Sequence, residues 1–225
     1  FSFPIAIANF LLIGYARGDL LMLEWMKGSD SVGIYASAVR LTGSLQILPM
    51  AITTTLLPII SYKFVSYERE KIKDIYRGVF SILLVFGIFV GLSLSFISPE
   101  IIQFMYGSEY IGAIVPLQIS GWTQFSSFLL YLLTTMIVGI GYEKYFMIYG
   151  VSLFLLKIIL NLMLIPDYGY VGASLSSLIT EFLLMIVLII FLAKKITYPS
   201  IRATGVVVLS TLFAWLIPIY VTEVS

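Results

Sequence analysis

Apolar residues run through this chain in long unbroken stretches instead of alternating with polar ones. Charge-free stretches occupy residues 41–62, 78–99, 110–142 and 203–222, and a helix needs about 20 apolar residues to cross a bilayer. Three further stretches reach that length only with charge inside: 1–26 with Arg17, Asp19 and Glu24, 145–166 with Lys157, and 171–193 with Glu181. The pattern predicts seven transmembrane helices. A β-barrel would need segments of about ten residues alternating in polarity. Runs such as Ile82-Leu83-Leu84-Val85-Phe86 and Leu183-Leu184-Met185-Ile186-Val187 do not alternate. The expected fold is therefore an all-α integral membrane bundle.

Polar breaks supply the connections. Lys27-Gly28-Ser29-Asp30-Ser31 and Ile165-Pro166-Asp167-Tyr168-Gly169 have the composition of tight turns and should join consecutive helices into antiparallel hairpins. Residues 67–74 carry alternating charge and read as a solvated loop; 98–112 reads as a surface loop or a short interfacial helix. Pro49 and Pro58 predict bends, because proline removes a ladder donor. Gly14-x-x-x-Gly18 and Gly87-x-x-x-Gly91 predict close helix approach within the chain. Tyr106, Tyr110, Trp122, Tyr142, Tyr145, Tyr168 and Tyr198 fall near span ends, where interfacial aromatics concentrate.

Composition narrows the chemistry. Of 225 residues, 60% are hydrophobic and 11% charged, against about 25% charged in an ordinary soluble domain, and mean hydropathy is +1.05. A soluble globule is excluded. With no Cys and no His, disulfides, thiolate nucleophiles, Cys/His metal sites and imidazole catalysis are excluded too. No catalytic residue, metal, cofactor or nucleic-acid partner is expected. Net charge is +1, so only the position of the charges can inform. Lys63, Arg69, Lys71, Lys73, Arg77, Lys144, Lys194, Lys195 and Arg202 fall on one side of the expected bundle, Lys27 alone on the other, and Arg17, Arg40 and Lys157 inside spans. This asymmetry predicts a cytoplasmic start in the cell membrane and an outer end after the seventh span. A first residue that is not Met and an odd span count predict a piece of a larger protein.

Ionisable groups at bilayer depth cost about 2.5–3.5 kcal/mol each on insertion scales, so they persist with partners or a function. Counted from the first turn, Asp19 and Arg40 are level, roughly 10–15 Å below the outer surface, and are expected to pair. Counted from the second turn, Lys157 and Glu181 are nearly level as well. Such pairs either lock helix contacts or line a polar cavity that meets an anionic substrate or exchanges a coupling ion. Arg17 is two residues from Asp19, about 200° round the helix, so the two cannot share a face. Lying near mid-span, where snorkelling reaches poorly, it is expected to face a water-filled cavity. There its bidentate fork could hold phosphate.

Particular words in the chain resemble a known family. Asp19-Leu20-Leu21-Met22-Leu23, the run from Val32-Gly33-Ile34-Tyr35-Ala36 to Arg40-Leu41, and Leu57-Pro58-Ile59-Ile60-Ser61 resemble the polysaccharide-biosynthesis flippases of the MATE-like, or MOP, superfamily. Met105-Tyr106-Gly107-Ser108-Glu109-Tyr110 resembles their outer-loop word. Asn161-Leu162-Met163-Leu164-Ile165-Pro166-Asp167-Tyr168-Gly169-Tyr170-Val171-Gly172-Ala173-Ser174 resembles the most specific one. The matches keep the family's order over about residues 19–181. The resemblance implies two six-helix lobes around a central cavity, with this chain as the second lobe (1–193) followed by a cytoplasmic linker and one additional helix (194–225). It also implies that Asp19 and Arg40 are the intramembrane acid and base.

The expected function is flipping of a polyprenyl-diphosphate-linked oligosaccharide by alternating access, with Arg17, Arg40 and Lys157 as substrate ligands and Asp19, Glu181 and Asn161 as ion-pair or coupling residues. The partners would be that anionic glycan lipid, membrane lipids and the absent first lobe. A drug or metabolite antiporter of the same fold would suit a more acidic cavity. A membrane glycosyltransferase or polymerase would need an outer polar loop with a carboxylate constellation, and 98–112 holds only Glu100 and Glu109.

Overall fold

The computed structural model describes residues 18–196 together with Gly205. Arg17, the rest of the first expected span before residue 18, and the seventh expected span apart from Gly205 lie outside the described residues. Residues 18–27 form helix α1. Then follow α2 (Ser29–Gly43), a 3-10 turn (Ser44–Gln46), α3 (Ile47–Val65), α4 (Arg69–Tyr106), a 3-10 segment (Ser108–Ala113), α5 (Ile114–Gly139) and α6 (Glu143–Lys195). No strand occurs among the described residues.

Four helical stretches there are long and apolar enough to cross a membrane: Ser29–Val65, Arg69–Tyr106, Ser108–Gly139 and Glu143–Lys195. The last holds 53 residues and would be about 80 Å long if straight, more than twice the hydrocarbon thickness of a bilayer. It reverses at Gly169, where φ is 54° and ψ is −129°. Asn161 meets Ser176 across the reversal, Tyr149 packs on Phe191, and Lys195 lies over Tyr142. Each pair is centred near residue 169, so 143–168 and 170–195 run antiparallel, about 39 Å each. The earlier turn behaves alike: Gly28 takes φ 82° and Tyr35 reaches back to Asp19. The two hairpins expected from turn chemistry are present. The seven expected spans are not all within the described residues, because α1 is described for its last ten and the seventh falls outside.

Three local expectations need correction. Residues 69–74 are not loop but the first turns of α4. Lys, Glu and Arg are good helix formers, and Glu68–Lys71 and Glu70–Lys73 pair at i,i+3. The Lys71 ammonium, with Lys63 behind it, holds the Glu68 carboxyl below its usual range. At the other end α4 continues through Pro99 to Tyr106 and stops at Gly107, with φ 81°, so 98–112 is helix followed by a 3-10 segment. Trp122 is not interfacial: it is 1% exposed and its indole N–H donates to Ser95 at 3.0 Å. Pro49 has its effect one turn upstream, where the 3-10 turn Ser44–Gln46 separates α2 from α3; its ring and missing N–H act on the carbonyl four residues back.

Helix α5 is the central element. Its apolar window is 72% buried, against 17–39% in the other spans. Gly87 and Gly91 of α4 let it approach: a Cβ at these positions would stand 3.0 Å from Phe125 and 3.1 Å from Trp122. Tyr76, Phe80, Leu83, Phe125, Leu129, Met136, Met185 and Leu188 complete the core between α4, α5 and α6. Ile82, Val85, Phe89 and Phe96 form an exposed stripe on α4, as a lipid-facing surface requires.

A candidate site at the junction of the two hairpins

Buried charge concentrates where the hairpins meet. Asp19 on α1 is 5% exposed, and its carboxylate takes four partners. The Lys157 ammonium lies at 2.8 Å. The Asn161 amide donates at 2.8 Å, the Ser177 hydroxyl at 2.9 Å and the Tyr35 hydroxyl at 3.1 Å. These come from α2 and from both halves of α6. Helical spacing explains the convergence: Lys157 and Asn161 stack one turn apart in the first half of α6, Ser177 and Glu181 in the second. The Ser176 hydroxyl donates to Asn161 Oδ1, which fixes the amide with its nitrogen toward Asp19. Glu181 accepts hydrogen bonds from the Ser127 and Ser126 hydroxyls of α5, and the Lys157 charge acts on it at longer range.

The cluster is closed on the side of the hairpin turns. Leu23, Ile165 and Ala173 each lie four residues nearer a turn than Asp19, Asn161 and Ser177 respectively. All three are fully buried in one apolar group with Tyr35. They form a dry layer about 6 Å from the cluster along the helices. Toward α5 the surroundings become polar. Ser120, Thr123, Gln124, Ser127, Tyr131 and Thr134 recur at helical spacing along one face of α5. The Tyr131 hydroxyl donates to Gln46 at 3.4 Å. Gln124 is 5% exposed, and its Oε1 has no hydrogen bond among the described residues. With both carboxylates ionised, Asp19, Glu181 and Lys157 carry one net negative charge, which a proton or a cation would neutralise.

The structure brings Asp19, Lys157, Asn161 and Glu181 together, but it pairs them differently from the depth argument. Asp19 pairs with Lys157 rather than Arg40, and Glu181 is held by serine hydroxyls. Depth fixes a residue's level along a hairpin but not its neighbours. Arg40 lies five residues beyond Tyr35, about 140° round α2 from the side that meets Asp19. It is exposed. Tyr35, Ser126, Ser127, Ser176 and Ser177 were not singled out by the sequence; their only signal was hydroxyls recurring at helical spacing inside apolar runs.

These features define a helical membrane protein with ionisable groups gathered at membrane depth. The chain belongs to the MatE family of the MOP superfamily, a family of transporters, whose profile matches residues 4–163. It is 30% identical over 185 residues to an uncharacterized membrane protein of Methanocaldococcus jannaschii, covering 80% of this chain and 42% of the relative. The chain thus spans about two fifths of that relative's length. No solved structure matches it.

Proposed function

We propose that the chain is the second lobe, with one following helix, of a flippase that moves a polyprenyl-diphosphate-linked oligosaccharide across the cytoplasmic membrane by alternating access. Such a transporter would serve surface polysaccharide biosynthesis, with residues 1–193 as the lobe and 194–225 as linker and additional helix. Arg40 carries the reading. It is exposed, lies about 16 Å along the span that starts at Ser29, and has no hydrogen bond or ion pair among the described residues. A cation at that depth is costly unless an anion or water neutralises it, and a diphosphate does so through the guanidinium fork. Exposed Gly43, Ser44, Thr54 and Thr55 follow along the same span and suit a sugar-bearing head group. In this reading Arg17 and Arg40 hold the diphosphate. Lys157 joins them only when its pair with Asp19 opens, and Asp19, Glu181 and Asn161 couple that opening to an ion. The missing first lobe and the surrounding lipids are the remaining partners.

In the full-length transporter, Arg40→Ala should reduce surface glycan more than Arg40→Lys does, with near-normal protein level because Arg40 is exposed. Arg17→Ala should behave likewise. Normal export by Arg40→Ala would overturn the assignment. A cation-coupled drug or metabolite antiporter of the same fold is favoured by one observation, the two gathered carboxylates Asp19 and Glu181. It predicts export of cationic dyes from cells, insensitive to Arg40→Ala.

A further inference from the structure

A second concentration of charge lies at the opposite end of the bundle from the hairpin turns, where α3 ends, α4 begins, α5 passes into α6 and α6 finishes. A cleft of about 260 Å3 there is lined by Arg69 and Lys73 of α4 and by Lys194 and Lys195 of α6, and by no carboxylate. Phe64, Ile72 and Ile140 give it an apolar floor. Two neighbouring acids are paired with lysines, one of which, Lys73, belongs to the lining of the cleft itself. Glu68 is bridged by Lys71 at 2.6 Å and Lys63 at 3.1 Å. Glu70 pairs with Lys73 at 2.6 Å on the exposed rim. Lys195 stands 4.9 Å above the Tyr142 ring. Arg69 and Lys194 are exposed, with no ion pair or hydrogen-bond partner among the described residues.

We propose that this cleft binds the phosphate head group of an anionic phospholipid at the membrane surface. The level is right: Lys194 and Lys195 close the apolar half of α6, and Tyr142 is an interfacial aromatic beside them. The chemistry is right as well. Arg69 and Lys194 bring an arginine fork and an ammonium to a cleft whose own lining holds no carboxylate, while Lys73 is shared with Glu70 at the rim, and such a cationic lining suits phosphate. The apolar floor beneath accepts the glycerol and the first methylenes, which free phosphate could not use. Basic pockets between helix ends on the positive side of a membrane are a known setting for lipid head groups. The lipid would bridge the start of α4 to the end of α6, two segments that share the lining of the cleft.

The test uses the full-length protein purified in detergent and titrated separately with phosphatidylglycerol, phosphatidylcholine and inorganic phosphate. Thermal unfolding and lipid retention by native mass spectrometry are the readouts. Phosphatidylglycerol should raise the unfolding temperature by a few degrees and be retained; the other two should do neither. R69Q/K194Q should bind phosphatidylglycerol roughly tenfold or more weakly. K144Q, an exposed lysine on the same side but outside the cleft, should bind as the parent does. The single variants R69Q and K194Q should each lose part of the affinity and keep the test decisive if the double variant expresses poorly. Equal stabilisation by phosphatidylcholine, or undiminished binding by R69Q/K194Q, would overturn the site. An equal shift from inorganic phosphate would overturn the lipid as its occupant.

Discussion

Lys157 is 6% exposed, and its ammonium rests 2.8 Å from a carboxylate on another helix. Removing one member of such a pair leaves the other charge buried and uncompensated, at a cost on the order of 3 kcal/mol. Lys157→Met should therefore lower unfolding stability in detergent by about that much. Asp19→Asn/Lys157→Met should lose less than the sum of the two single variants, the signature of direct coupling. Additive losses would show that the pair contributes nothing as a pair. The sequence exposes Asp19, Lys157 and Glu181 because a charge inside an apolar run stands out against its neighbours. It does not reveal that Lys157 chooses Asp19, since the choice depends on which helices touch. Nor does it separate Tyr35 and Ser177, which close the Asp19 site, from the many hydroxyls that satisfy only their own helix, such as Thr53 and Thr134.

At the scale of elements, the second hairpin shows what its glycines do. Gly169 takes a positive φ that L side chains rarely adopt, and Gly172 sits where a Cβ would overlap the carbonyl oxygen of Leu164. That oxygen belongs to the opposite half of α6 and to backbone, so it cannot swing aside. Gly172→Ala should destabilise by about 1–3 kcal/mol, as overpacking does. Gly150→Ala, in the same element with nothing within 4 Å, should be neutral or stabilising by up to about 1 kcal/mol. Thermal unfolding of the two variants side by side checks the contrast; equal stability of the two would overturn the clash at Gly172. The turns at Gly28 and Gly169 were legible because turn chemistry is local. The ends of α4 were not. Its polar first turns resemble a loop until their i,i+3 pairs are seen, and Pro99 resembles a stop although the helix passes through it.

For the whole molecule, orientation rests on charge and the grouping of loops rests on contacts. Gly112 lies against Tyr170 and Ile34, which gathers the hairpin turns and the 3-10 segment at one end. The cleft between Phe64, Arg69, Tyr142 and Lys195 gathers the other connections at the opposite end. The chain has no cysteine of its own, so introduced ones report cleanly. Cysteines at Ser29, Ser108 and Asp167 should label from outside intact cells, and one at Ser66 only after permeabilisation. Full reversal would overturn the orientation, and a mixed result the bundle. The Asp19–Lys157 pair also has a consequence for biogenesis. Lys157 is 138 residues after Asp19 in the chain, so at 5–20 residues per second about 7–30 seconds separate their synthesis. Throughout that interval the first helix carries a carboxylate without its ammonium. It must be sheltered by the insertion machinery or stay shallow until α6 arrives. The hairpin around Gly28 is thus completed by the one around Gly169, and truncation before Lys157 leaves Asp19 without the ammonium that meets it among the described residues.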